Sequence, residues 1–322
     1  MTAEYKVYLA PMEGLADPPL RKVLCRHGGY DWCFTEFIRV TDEGLNKKTL
    51  IHDCPELLNG GKTADGTPCR VQLLGDNPDA MADAAAMALS YGTPGVDINF
   101  GCPSRFVHHS GSMLLKEPEL MHDIVEAVRD KVAGKCLLSV KVRDGFEDKK
   151  EAPVIVKSVG LEGVDEITVH CRTRKDLYKK DALDWTVIKP LHEIVPDITM
   201  VANGDIVSKE TAEKCRDITG CTTLMVGRGG FMMPNIGKVI KGDETPYDTV
   251  KTLEVMREVA EEFVQMGVRE KIVLDRAKQF LSYARLSSDF LRGFFKTFCH
   301  CADTKECFNL IDNAMKEAES EA

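Results

Sequence analysis

A chain of 322 residues is too long for one small core and suits a barrel-sized domain of roughly 250 residues with an appendage. Its net charge of −9, from 42 basic against 51 acidic side chains, argues against a protein that coats nucleic acid nonspecifically, while leaving room for a local basic groove. With no run of about 18 uncharged apolar residues and no n-region and h-region at the start, we expect a cytoplasmic protein without membrane span or export signal.

Short apolar runs that end in turn or polar residues alternate with helix-period segments up to residue 240. In chain order the strand candidates are residues 7–11, 33–37, 70–74, 95–99, 137–142, 166–170, 198–202 and 222–226. Between them, helices are expected at 18–26, 78–90, 118–131, 152–159, 185–194 and 209–217, several opened by a cap signal such as Asp17-Pro18 or Asn77-Pro78. Continuous rather than alternating apolar strands imply a sheet covered on both faces, hence parallel. Eight β/α units predict a (β/α)8 TIM barrel, with an open doubly wound sheet as the alternative.

Gly242-Asp243-Glu244-Thr245-Pro246 breaks this rhythm, and only helix-period segments follow, at 247–266, 271–285, 289–297 and 305–318. A barrel domain over 1–242 and a small all-α helical bundle over 243–322 are therefore expected. The twelve cysteines, among them Cys25, Cys33, Cys136, Cys171 and Cys215, are scattered through strand-like and helix-like segments, a usage that reads as reduced thiols. Cys299-His300-Cys301 with Cys307 lacks a paired C-x-x-C and lies in an amphipathic stretch, so buried small residues are expected there and no metal.

In a parallel barrel the active site lies at the carboxyl ends of the strands. Those positions hold Pro11-Met12-Glu13-Gly14, Glu36, Gln72, Asn99 through Cys102, Lys141 with Arg143, His170 with Arg172, Asn203-Gly204-Asp205 and Gly227-Arg228-Gly229-Gly230. Polar residues at almost every one exceed what a structural barrel end requires. The last two segments follow strands seven and eight, where barrel enzymes often hold a phosphate on backbone N–H groups, and Arg228 adds charge. Lys141 ends an apolar strand and is placed to stabilise electron density on a cofactor ring; the alternatives are a snorkelling lysine or a pair with Glu36. His170 ends its strand in the same way. A cysteine thiol is mostly protonated at neutral pH, with a pKa of about 8.5, so Cys102 on its turn can serve as acid or nucleophile. Asn99 offers a donor and an acceptor to a planar amide-like ligand, and Pro103 fixes the turn.

Taken together, Leu9 to Gly14, Thr35-Glu36-Phe37-Ile38-Arg39-Val40, Val71 to Gly75, Gly95-Val96-Asp97-Ile98-Asn99-Phe100-Gly101-Cys102-Pro103-Ser104, Ser139 to Arg143, Val169-His170-Cys171-Arg172-Thr173, Ala202 to Asp205 and Val226 to Gly229 resemble the tRNA-dihydrouridine synthases. The segments around Arg39 and from Arg276 to Tyr283 are most similar to the bacterial C-type branch, which the resemblance assigns to uridine 16 of the D-loop. The family implies FMN in the barrel mouth and NADPH as electron donor. By position, Pro11, Met12, Glu13 and Gln72 would line the isoalloxazine, Lys141 and His170 would contact its ring or ribityl chain, and Asn203, Gly204, Asp205, Gly227 and Arg228 would hold the phosphate. Cys102 would be the proton donor. The substrate tRNA would meet Arg276 and Lys278, with Arg285 and Arg292 beside them, on its phosphates, and Arg39, Asn99 and Arg143 at the target nucleotide. A monomer is expected.

Two departures from the family pattern stand out. The loop after Cys102 is shorter and carries His108 and His109, read as solvated, and Cys171 replaces a glycine between His170 and Arg172. The nearest rival is an FMN-barrel dehydrogenase acting on a free pyrimidine or dihydroorotate-like metabolite. An RNA-binding protein with a vestigial barrel is a rival of another class, which intact Cys102, Lys141 and both glycine segments oppose.

Overall fold

Among the described residues nine parallel strands carry the fold: β1 (Lys6–Leu9), β2 (Cys33–Phe34), β3 (Ile38–Arg39), β4 (Cys69–Leu74), β5 (Gly95–Asn99), β6 (Leu137–Arg143), β7 (Glu166–His170), β8 (Thr199–Asn203) and β9 (Thr223–Val226). The computed structural model describes residues 4–104 and 109–321, so Arg105 and His108 of the loop after Cys102 lie outside the described residues. Strand order runs β1, β9, β8, β7, β6, β5, β4, β2, with β3 also on β4. The ring closes where Leu9 donates its N–H to Trp32 O at 2.9 Å and Tyr8 bridges Trp32 in parallel, which excludes the open sheet.

The second barrel strand differs from its expected single run. Phe34 pairs with Arg70 but Ile38 with Leu73, so four steps on one strand meet three on its neighbour, a one-residue bulge. Its cause is polar: Thr35 Oγ1 accepts the N–H of Gln72 at 2.9 Å, and Glu36 turns out to accept the N–H of Ala16 at 3.2 Å. Two short strands therefore replace residues 33–37.

The covering helices are α1 (Pro18–Gly28), α2 (Lys47–Asp53), α3 (Pro78–Ser90), α4 (Pro118–Val132), α5 (Ala152–Val159), α6 (Ile188–Ile194), α7 (Lys209–Thr219), α8 (Gly229–Met232) and α9 (Ile236–Lys241). Asp17 caps α1 through Leu20 N at 3.2 Å and Asn77 caps α3 through Ala80 N at 3.1 Å, each followed by proline at the first helical position. The expected helix 185–194 begins as a 3₁₀ turn, Trp185–Val187, because Asp184 Oδ1 takes the N–H of Thr186 only two residues on. After the left-handed Gly242 come α10 (Thr249–Gln265), α11 (Glu270–Ala284), α12 (Asp289–Phe298) and α13 (Thr304–Glu321). These four helices lie against α1 and α8 through Lys22–Glu262 at 2.7 Å, His27–Glu258 at 2.7 Å, and the Phe231 and Phe280 rings at 5.9 Å.

The barrel interior is polar for a fold whose centre is usually filled by branched aliphatics. At its amino end buried Arg70 pairs with Glu166 at 2.6 Å, and Tyr8 donates to the same carboxylate at 2.8 Å. One layer higher sit Asp97 and Ser139, both fully buried, and above them the residues of the mouth. Among the described residues no helix is long and apolar enough to cross a membrane.

Candidate active site at the barrel mouth

A cavity of about 780 Å³ opens at the carboxyl ends of the strands. Its walls bring together every residue expected at a cofactor, Pro11, Met12, Glu13, Gln72, Lys141, His170, Asn203, Gly204, Asp205, Gly227 and Arg228, together with Cys102, Asn99 and Arg143. Convergence of side chains from all around the barrel on one concave space is the usual signature of a small-molecule site.

Cys102 sits half-buried on the turn after β5. Asn99 Oδ1 accepts the N–H groups of Gly101 at 2.8 Å and Cys102 at 2.9 Å, so the asparagine builds the turn from within. On its far side Ser112 N donates to Cys102 O at 3.0 Å, and Gly111, with φ +61, comes so close that a Cβ there would lie 3.0 Å from the same oxygen. Burial pushes the Cys102 thiol up, and Glu13 adds to it, against lowering by Ser104 N–H, Arg143 and Lys141. The group stays a protonated thiol at neutral pH.

Lys141 is buried in β6, two residues before its end, and bonds the amide oxygen of Asn203 at 3.3 Å; Glu36 is not its partner. Burial first, and then the nearby Arg143, lower its pKa to about 8. His170, also buried, is held well below its usual value by burial and by the surrounding Arg143, Lys141, Arg172 and Arg228. It is therefore a neutral imidazole, with the Tyr178 ring 6.1 Å away.

The two glycine segments meet around Asp205. Its carboxylate takes Arg228 Nη2 at 2.7 Å on one oxygen and Arg172 Nη2 on the other, which leaves two guanidinium groups for one carboxylate. Asp205 itself has φ +47 and Gly204 φ +133, a backbone that lays its peptide against the cavity; a Cβ at 204 would meet Leu183 Cδ1 at 2.7 Å.

Arg143 is almost entirely buried, and three of its bonds hold loops: Nε to Gly101 O at 2.8 Å, Nη1 to Thr173 O at 3.1 Å and to Leu177 O at 3.2 Å. Arg172 supports the same segment through Lys179 O at 2.7 Å. Tied down from beneath, Leu177 at φ +53 and Tyr178 stand exposed at the rim, with Lys179 and Lys180 beside them. Tyr283 of α11 and Leu286 in the turn after it reach the cavity from the C-terminal region.

Arg39 is exposed at the end of β3 and, like Arg276 and Lys278, does not line the cavity. Arg276 makes an ion pair with Asp17 at 2.9 Å and bonds Gly14 O, and Lys278 donates to Cys301 O at 2.9 Å, so both begin from internal partners. His109 is exposed but is not simply solvated. Its Nε2 lies 2.7 Å from Glu117 and its Nδ1 3.1 Å from Asp76, and these carboxylates raise its pKa. Buried Cys171 does not line the cavity; its thiol bonds Val169 O at 3.6 Å. Among the described residues one buried group, Cys54, Glu56 and Cys69, is close enough to suggest a metal, yet both Glu56 oxygens are taken by Arg21 at 2.9 and 2.8 Å.

Sequence reading missed Tyr178, Tyr283, Ser139 and Asp97. Asp97 carried a usable signal, an ionisable residue in the middle of a buried apolar run, whereas the rim residues come from loops with no periodic pattern.

Comparison with known proteins bears on this geometry. Residues 8–319 match the family model described as Dihydrouridine synthase (Dus). The chain is similar to the tRNA-dihydrouridine(16) synthase of Shewanella oneidensis, 38% identical over 312 residues, with 96% of this chain and 98% of the relative covered. It is 42% identical over 315 residues to the protein of that name from Haemophilus ducreyi, covering 97% and 88%, and 37% identical over 293 residues to the one from Escherichia coli strain K12, covering 90% and 92%. Among solved structures, histamine dehydrogenase from Rhizobium sp. 4-9 is similar in fold, with a TM-score of 0.55 at 12% identity over 80% of this chain and 49% of that one.

Proposed function

The chain belongs to the dihydrouridine synthase family, and from that premise we propose that its barrel mouth reduces uridine 16 of the tRNA D-loop to 5,6-dihydrouridine, with FMN bound in the cavity and NADPH as electron donor. The observation that carries the reading is the Cys102 thiol, protonated by its surroundings and held by Asn99 over a cavity whose other walls are Lys141, His170 and the Asp205–Arg228 segment.

The walls fit a flavin mononucleotide. Gly227 faces the cavity, and a Cβ there would sit 3.3 Å from Met12 Sδ and take up the space of a ligand. Arg172 and Arg228 share one carboxylate, so their excess charge suits a phosphate. Among the described residues no carboxylate pairs with Lys141, so its ammonium would be available to negative charge on a flavin ring, with Gln72 and His170 among the residues that would hold the ring. The chemistry that a reduced flavin would supply there is hydride for C6 of the uracil.

Hydride addition at C6 leaves enolate character that ends at C5, because the C5=C6 bond is conjugated with the C4 carbonyl. Cys102 then gives its proton to C5, and the resulting thiolate is stabilised by Arg143 and Lys141, which already lower its pKa. Uridine must leave its stack to present a face to this site, at a cost of a few kcal/mol. We propose that residues 243–322 form the domain that holds the tRNA body of a monomeric enzyme, with Arg276 and Lys278 sharing or exchanging their internal partners for phosphates, and that Arg39, Asn99 and Arg143 meet the target nucleotide.

The test is a position-by-position map of dihydrouridine in tRNA from cells with and without the gene. Loss at 16 alone supports the reading; loss at 17 or 20 overturns the position, and no loss revives the free-pyrimidine dehydrogenase.

A further inference from the structure

The turn that carries Cys102 hangs from a chain of hydrogen bonds that begins one layer below the cavity. Ser139 Oγ donates to Asp97 Oδ1 at 2.5 Å, Gln72 Nε2 donates to Asp97 Oδ2 at 2.6 Å, and Asn99 Nδ2 donates to Gln72 Oε1 at 2.8 Å. Asn99 Oδ1 then accepts from Gly101 and Cys102. Each bond fixes the next. Two backbone donors require an oxygen from Asn99, which turns its NH₂ toward Gln72; Gln72 must answer with its oxygen, which turns its own NH₂ down onto Asp97.

An ionised carboxylate is the one group in this chain that can only accept, so it pins from below the same direction that the two backbone donors impose from above. Asp97 is fully buried on β5, with Arg70 and Lys141 as the cations that face it. A buried charge in a barrel centre is costly unless its bonds are used. Here they are used to orient two amides that border the cavity.

We propose that Asp97 is a positioning residue for the proton donor: its carboxylate, through Gln72 and Asn99, fixes the backbone turn that aims the Cys102 thiol. The proposal rests on the reading of Cys102 as acid. It adds a residue outside the cavity whose loss would misdirect the thiol without removing any group that touches flavin or uracil, and it accounts for an acidic side chain buried between Val96 and Ile98.

The experiment compares flavin-loaded Asp97→Leu and Asp97→Asn with the parent. Leucine offers Gln72 no acceptor and leaves both amides held only from the side of the turn, by the Gly101 and Cys102 N–H groups, whereas asparagine keeps an oxygen toward Gln72 and turns its NH₂ to the Ser139 hydroxyl, which can accept. For Asp97→Leu, dihydrouridine formation is expected to fall on the order of 100-fold, the scale of a roughly 1 Å misplacement. Flavin reoxidation by dioxygen, which needs no aimed thiol, is expected to stay at the parent rate, and Asp97→Asn to recover most of the loss. The second readout is the rate at which N-ethylmaleimide alkylates Cys102, resolved by peptide mass: it should change in Asp97→Leu and return toward the parent in Asp97→Asn. Should the leucine variant fail to fold, Asp97→Asn combined with Ser139→Ala removes the partner that holds the asparagine, and the same two changes are expected relative to Ser139→Ala alone. Parent-like alkylation and parent-like tRNA reduction in the leucine or double variant would overturn the proposal, as would equal losses in Asp97→Leu and Asp97→Asn. Because alkylation needs neither tRNA nor turnover, it judges the relay even if the parent made no dihydrouridine.

Discussion

Asn99 Oδ1 lies 2.9 Å from the backbone nitrogen of Cys102, so the last residue of β5 holds the peptide on which the reactive thiol is mounted. With Gly101 bonded to the same oxygen, the side chain satisfies two N–H groups of a turn that is mostly buried. Asn99→Ala leaves them without that acceptor, an expected cost of about 1–3 kcal/mol if they stay dry. Thermal melting should register the loss, and dihydrouridine formation should fall more steeply than flavin binding does. Asn99→Asp keeps the acceptor but sets a carboxylate against Gln72 Oε1, so it should not rescue activity.

Lys141 should give flavin binding a pH dependence. With its pKa near 8, set mainly by burial and by Arg143, it carries full charge below that value and loses it above. Affinity of the flavin-free protein for FMN is expected to fall as pH rises through about 8, and Lys141→Met should bind weakly with no break there. The stability sign follows from the same shift. The folded lysine is depressed below its unfolded 10.5, so between pH 8 and 10.5 the unfolded chain holds the extra proton and parent stability rises relative to Lys141→Met.

Asp97 shifts the other way, up to about 6 from 3.8, because burial outweighs its bonds to Gln72 and Ser139. Between pH 3.8 and 6 the folded state binds the proton that the unfolded chain has released, so the contribution of Asp97 to stability declines as pH rises through that window. The melting-temperature difference between parent and Asp97→Asn should therefore move in the parent's disfavour from pH 4 to 6 and stay flat above. A difference independent of pH would contradict the assigned environment.

Arg276 ties α11 to the start of α1 through Asp17, with both side chains largely shielded. A double-mutant cycle on Arg276→Ala and Asp17→Ala should return a coupling of about 1 kcal/mol. Exchanging the pair, Arg276→Asp with Asp17→Arg, separates the two proposed duties. The swap should regain the ion-pair coupling relative to Arg276→Asp alone, though not the cap that Asp17 gives Leu20 N, while tRNA binding stays weak with a shallower salt dependence; recovery of tRNA binding as well would remove Arg276 from the phosphate contacts.

Much of this molecule was legible from residue order alone. Seven of the eight barrel strands and the four C-terminal helices fall where apolar runs and helical periods place them, because a fully covered parallel sheet writes continuous apolar runs into the chain. The residues at the strand ends were equally readable, since the topology alone delivers Gln72, Lys141 and His170 to one cavity. What escaped was contact between distant segments. The bulge at Thr35 depends on Gln72, thirty-seven residues away, and the pairing of Arg276 with Asp17 spans the chain. A charged helix face reads the same whether its arginine meets a phosphate or an aspartate, which is why Arg276 and Lys278 looked free from the sequence.

The central claim is that Cys102 supplies the proton to C5, and a single-turnover reaction of NADPH-reduced enzyme with unmodified tRNA tests it most directly. In Cys102→Ala, flavin content and reduction by NADPH should match the parent while dihydrouridine formation at position 16 falls by about 10²–10⁴, the usual contribution of a positioned acid. Dihydrouridine appearing at the parent rate in that variant would contradict the account.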